Sequence, residues 1–173
     1  MTTTAARFAA DAVAPAARMG LGVFDQVIAD IPAAKFARKP EGVDTNHPAW
    51  ILGHLAIYPD MVLEMIGRPE LADPDERLTK LFEQGAECQD DADGSIYPTK
   101  DELTARFTSR MNTALSALAE ADDETLSKPN TAFASEHMPT VGALANFLVG
   151  HHVMLHAGQI SAWRRAMGMG PCM

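Results

Sequence analysis

From His137 to Trp163 the chain carries no formal charge. Within that stretch Leu144, Leu148, His152, Leu155, His156, Gln159 and Trp163 recur at three- and four-residue steps, the period of one face of an α-helix. A helix this poor in charge must bury a face against other elements, and its length also approaches that of a membrane span. The polar groups decide between the two. Asn146, His151, His152, His156 and Gln159 would be costly in hydrocarbon, so the stretch reads as a core helix rather than a span. It opens near Thr140, after Pro139, and Gly168 and Gly170 end it.

Three further segments share the helical period. The first runs from about Thr4 to Ile31, with Met19, Val23, Gln26 and Val27 on its stripe, and Pro32 ends it. Gly20 and Gly22 weaken its middle and suit close packing. The second begins at Asn46 or His47 as the cap, with Pro48 in the first turn, where a missing N–H costs nothing. Its stripe is Ile51, His54, Leu55, Tyr58, Met61, Val62 and Met65, and Pro59 predicts a kink. Gly67 and Pro69 close it. The third opens on Thr99 and Glu102, which have capping-box spacing, and continues through Leu103, Phe107, Met111, Leu115 and Leu118. Between the second and third lies an acidic, polar connection from Gly67 to Pro98, with a short helical piece over Asp75–Gly85. A connection this long crosses the fold or covers a site. No Val/Ile-rich alternating run marks a strand. The expectation is all-α: a four-helix bundle with one long connection between the second and third helices, as one domain over residues 1–173.

Composition narrows the function classes. Apolar residues make up 47% of the chain, enough for an ordinary core. Fourteen Lys and Arg against 23 Asp and Glu give a net charge of −9, which argues against nucleic acid as a partner, because phosphate neutralisation needs clustered cations. Cys88 and Cys172 form no CxxC and no disulfide framework, and two isolated thiols suit a reducing cytoplasm. The alanine-rich start is interrupted by Asp11 and does not read as a signal peptide.

Three of the six histidines sit in the uncharged stretch. His152 and His156 are spaced i, i+4 and share one helix face, so both imidazoles can reach one metal ion. Gln159 lies a further turn along. His151 points about 100° away from His152 and is left out. By itself the pair admits a second reading, two core imidazoles bonded to backbone or to Gln159. Val153 stands where an HExxH motif has its Glu, so this helix offers no metalloprotease-type general base. His54 shifts the balance. It lies on the core stripe of the second segment, and a bundle converges ligands from facing helices. Three imidazoles leave coordination positions open, the pattern of a catalytic rather than a structural site.

Trp50 to Leu55 reads W-x-L-G-H-L, and His152 to Ile160 reads H-x-x-x-H-x-G-Q-I, in that order. With these motifs the chain resembles the DinB-like (DNA-damage-inducible) superfamily over nearly its whole length. The resemblance implies a four-helix bundle holding a divalent metal, usually Zn or Ni, on His54, His152 and His156. It also implies a homodimer and a small-molecule substrate. Some relatives are transferases or isomerases that use a low-molecular-weight thiol such as mycothiol or bacillithiol. Hydrolysis by metal-bound hydroxide is the other enzymatic reading. Other relatives have no assigned activity, so a non-catalytic metal-binding or stress-response protein of the same fold is the alternative. The sequence departs from many members in lacking Glu beside the first His of the HxxxH.

Other signals carry less. The run Cys88 to Gly94 invites a calcium-loop reading, but it would put Gln89 first and Lys100 twelfth, where acidic ligands are needed. It reads as a solvated acidic turn. His47 suits a helix start beside Pro48, and His137 an exposed loop. Tyr58, one turn beyond His54, reads first as a core tyrosine with its hydroxyl at the edge and second as a donor into the site. Acidic neighbours should raise the pKa of Cys88, which is not nominated as a nucleophile.

Overall fold

The computed structural model describes residues 7–170, apart from the side chain of Phe8. The expected helix start at Thr4, and Cys172, lie outside the described residues. Helix α1 spans Phe8–Ala29 and a single turn, α2, spans Ala33–Phe36. Then follow α3 (Pro48–Ala56), α4 (Tyr58–Met65), α5 (Glu76–Phe82) and α6 (Lys100–Glu120). A short α7 (Asp123–Leu126) leads to α8 (Val141–Asn146), a wide π-type turn over Phe147–His151, and α9 (His152–Ala166). The described residues are all-helical, and their one isolated bridge pairs Pro129 with Thr140. None of their helices is long and apolar enough to cross a membrane.

The helix starts follow the caps in the sequence. Thr99 and Glu102 form a reciprocal capping box, which satisfies the backbone donors that a helix start leaves open. Thr140 accepts from the Ala143 N–H. His47 caps α3: its Nδ1 accepts from the Trp50 N–H at 3.1 Å, and its Nε2 donates to the Gln89 carbonyl at 2.8 Å. Pro59 does more than kink the second segment. The helix breaks at Ile57, and Pro59 lies in the first turn of α4.

The core lies where α6 packs on α1, α3 and α4, and α1 packs on α9. Here the stripe expected for the first helix is corrected. Met19 is 73% exposed, and Gln26 is exposed too. The buried face is Ala10, Ala14, Ala17, Phe24, Val27 and Ile28, with Phe24 meeting Phe107 at 5.1 Å. Alanines carry little hydrophobic signal, yet they allow the closest approach of neighbouring helices. Gly20 does serve packing, since a Cβ there would lie 3.4 Å from Met154 Sδ, whereas Gly22 faces open space.

The long connection covers α3. Phe82, at the end of α5, lies so close over Gly53 that an added Cβ would stand 2.3 Å from its ring. Further along, the acidic turn is largely exposed as expected, but Asp91 departs from that reading. It is buried, and its carboxylate accepts from the backbone N–H groups of Ser95, Ile96 and Tyr97. Around the connection's start, buried Asp60 on α4 pairs with buried Arg110 on α6. Arg110 also donates to the Leu71 carbonyl at 2.6 Å, and Asp60 accepts the Asp73 N–H at 3.1 Å. At the C-terminal end of α9, Arg164 is 1% exposed and donates to the Val27 carbonyl and to Asp30, tying α9 to α1.

Candidate metal centre

His54 is carried by α3, whose nine residues are all buried, because the helix is wedged between α6, α5 and α9. His152 and His156 come from the first turns of α9. All three imidazoles are buried, and one nitrogen from each lies within 4.8 Å of the other two. His152 Nε2 is 3.0 Å from His156 Nε2 and 3.3 Å from His54 Nε2. Among the described residues, no other residue type belongs to the group.

Hydrogen bonds fix which nitrogens are free. A carbonyl can only accept, so His54 Nδ1 carries its proton and donates to Phe82 O at 2.7 Å. His156 Nδ1 likewise donates to Gln159 Oε1 at 2.7 Å. In a neutral imidazole this leaves each Nε2 with a lone pair, and both face His152 Nε2. Burial holds these rings neutral. It is the main reason that the His152 pKa falls to about 3 and that of His156 to about 4, and each also resists charge on its histidine neighbours. Burial lowers His54 as well, against the Phe82 hydrogen bond.

Such a cluster is incomplete by itself. At most one of the three facing nitrogens carries a proton, and that proton satisfies only one lone pair. His152 Nδ1 is buried without a hydrogen-bond partner. A single cation would satisfy all the facing lone pairs. These two spacings are near the edge of about 3.3 Å expected for a tetrahedron of imidazole nitrogens around Zn. The donor set therefore fits a divalent transition metal, and locked Nδ1–H donors are the usual support of such ligands.

The structure brings together the three histidines selected from the sequence and leaves the others apart. His151 and His137 are exposed, and His47 serves as the α3 cap. Tyr58 is partly buried, its ring edge-on to His54 and His152 at 5.0 Å each. The Cys88 thiol is pushed up mainly by burial, with Asp44 and Asp90 adding to it. Sequence reasoning missed the Phe82 carbonyl and the ring of Phe147, which stacks on His152 at 5.4 Å. A backbone acceptor has no residue signature. The helical period alone turns Phe147 away from His152.

Fold and site together define a class: an all-helical protein with a buried group of three histidines compatible with metal binding. Comparison with protein families narrows that class. The family model of the DinB superfamily matches residues 18–160, and the chain belongs to this superfamily. No curated protein matches it.

Proposed function

We propose that the protein is a divalent-metal-dependent enzyme in which His54, His152 and His156 hold one ion, Zn or Ni. It uses a low-molecular-weight thiol to attack a small-molecule electrophile, as a transferase or isomerase. The observation that carries the reading is the pair of Nδ1–H locks, which aim two lone pairs at a third imidazole in a carboxylate-free group. When bound, the ion supplies the positive charge that lowers the pKa of a thiol or water beside it. The chain's own residues do the rest. Phe82 and Gln159 hold the tautomers of His54 and His156. Trp50, stacked on His54 at 4.8 Å, and Phe147 exclude water from the ring faces. Tyr58 is the group placed to meet a substrate, being partly exposed and in contact with two of the ligands.

The same reading takes the long helices as a four-helix bundle and the chain as one domain, working as a homodimer in the cytoplasm. The depth of burial of all three histidines favours one second reading, a metal-binding protein without turnover. Elemental analysis of protein made in Zn- and Ni-supplemented medium tests the metal. About one ion per chain is expected, and none in the His54→Ala, His152→Ala, His156→Ala triple variant. A metal-free wild type, or a triple variant that keeps its ion, refutes the site. A screen pairing thiols with electrophiles separates the two readings, and turnover that survives complete metal removal refutes the enzymatic one.

A further inference from the structure

The three imidazoles are not held alike. His54 and His156 are oriented through Nδ1 by Phe82 and Gln159, whereas His152 Nδ1 has no hydrogen-bond partner. What touches the His152 ring is aromatic. Phe147 lies flat on it, with centroids 5.4 Å apart and planes 15° from parallel, and Tyr58 meets it edge-on. Phe147 precedes His152 by five residues. In a regular α-helix that spacing separates two side chains by about 140° around the axis, so the rings could not face. The wide turn over Phe147–His151 removes the obstacle. The His152 N–H donates to the Phe147 carbonyl five residues back, and a turn of that width brings residues five apart much closer around the axis than a regular α-helix does. Such turns are rare interruptions of an α-helix. Here the interruption ends at a histidine of the cluster.

We propose that Phe147, placed by the wide turn, is the positioning residue for His152. Stacking fixes the plane of this imidazole, as hydrogen bonds fix the other two. The proposal rests on the three-histidine metal site argued above. Without the stack the His152 ring can swing, and its Nε2 leaves the point that the other two nitrogens face. Losing the outer support of a ligand histidine typically weakens metal binding about 10–100-fold.

The test compares wild type with Phe147→Met, which keeps bulk and loses the flat face, and with Phe147→Tyr, which keeps the face. Phe147→Leu replaces the methionine variant if that chain does not fold by circular dichroism. Co(II) titration followed in the visible spectrum reads affinity and ligand geometry. Imidazole nitrogen NMR of the metal-free protein reads the His152 ring directly. For Phe147→Met we expect Co(II) binding about 10–100-fold weaker, an altered visible spectrum, and His152 signals that shift and broaden while those of His54 and His156 stay. Phe147→Tyr should match wild type. Wild-type affinity and unmoved His152 signals in Phe147→Met overturn the proposal, and so does a Phe147→Tyr chain as weak as Phe147→Met. A wild type that takes up no Co(II) refutes the metal reading instead, and the metal-free spectra still decide whether Phe147 orients His152.

Discussion

Two buried polar clusters pin the long connection to the helices, and they are built on opposite terms. Around Asp60, charges match. Arg110 donates to the carboxylate and to the Leu71 carbonyl, the Asp73 N–H adds a third contact, and Arg106 reaches Asp73 at 2.6 Å. Every group there has its complement within the chain. Around His54, among the described residues, the complements are outward, from the Nδ1 atoms of His54 and His156 to Phe82 O and Gln159 Oε1, while the inward nitrogens meet one another. The first cluster is closed and needs nothing further. The second gathers lone pairs that face one another, and the chain supplies no donor for all of them. Asp60 and Arg110 are buried as the three histidines are, so burial does not mark the site. The missing complement does.

The largest expected effect breaks the closed cluster. Asp60→Ala leaves the buried Arg110 charge without its partner and should cost about 3–5 kcal/mol in chemical denaturation. Metal content per folded chain should be unchanged. A loss below about 1 kcal/mol would mean that the pair is solvated and contributes as a surface pair does. Next comes Gly53→Ala, beneath the lid that Phe82 forms over α3. The added methyl meets the Phe82 ring, so α5 must shift. Overpacking should cost about 1–3 kcal/mol. It should also weaken metal binding, because the carbonyl that orients His54 moves with Phe82. Normal affinity at reduced stability would detach the lid from the site.

These tests turn on features of unequal visibility in the sequence. The helix starts at Thr99 and Thr140 and the pairing of His152 with His156 follow from local spacing, which the helix preserves, while His54 is found through its place on the core stripe of another helix. Other features depend on partners far along the chain. Met19 is read as buried because methionine outweighs alanine in any hydrophobic count, yet Ala10, Ala14 and Ala17 face the core. Leu155 is placed on the stripe of α9 by a regular period and is 56% exposed, because the wide turn before His152 shifts the phase. Asp91 falls in a run read as a solvated turn and is buried, as are Arg110 and Arg164, each held by groups that only the tertiary fold supplies.

A smaller effect tests the locks themselves. Gln159 is exposed, so Gln159→Leu should leave stability near wild type while removing the acceptor for His156 Nδ1. Metal affinity should fall about 10–100-fold by competition with a chelator, and Gln159→Glu, which can still accept, should recover most of it. Equal affinity in Gln159→Leu and wild type would leave the His156 tautomer without a role.

The last effect is a slope rather than a loss. In metal-free protein the unfolded chain protonates its histidines near pH 6.5. The folded chain resists until about 4 at His156 and about 3 at His152, with His54 lowered in the same direction. Above about pH 6.5 neither state is charged there, and no penalty exists. As pH falls below that point the unfolded state binds more protons, so stability must decline toward pH 4. Urea midpoints of metal-free wild type should therefore drop across this window. The triple histidine-to-alanine variant should drop less, keeping the part due to His47, which burial also lowers. Bound metal should flatten the wild-type profile near pH 6.5 and release as pH falls, since protons and metal compete for the same Nε2 atoms. Parallel profiles for wild type and triple variant would mean that the three imidazoles are hydrated in solution, and the contrast between a closed cluster and an open one would fall with them.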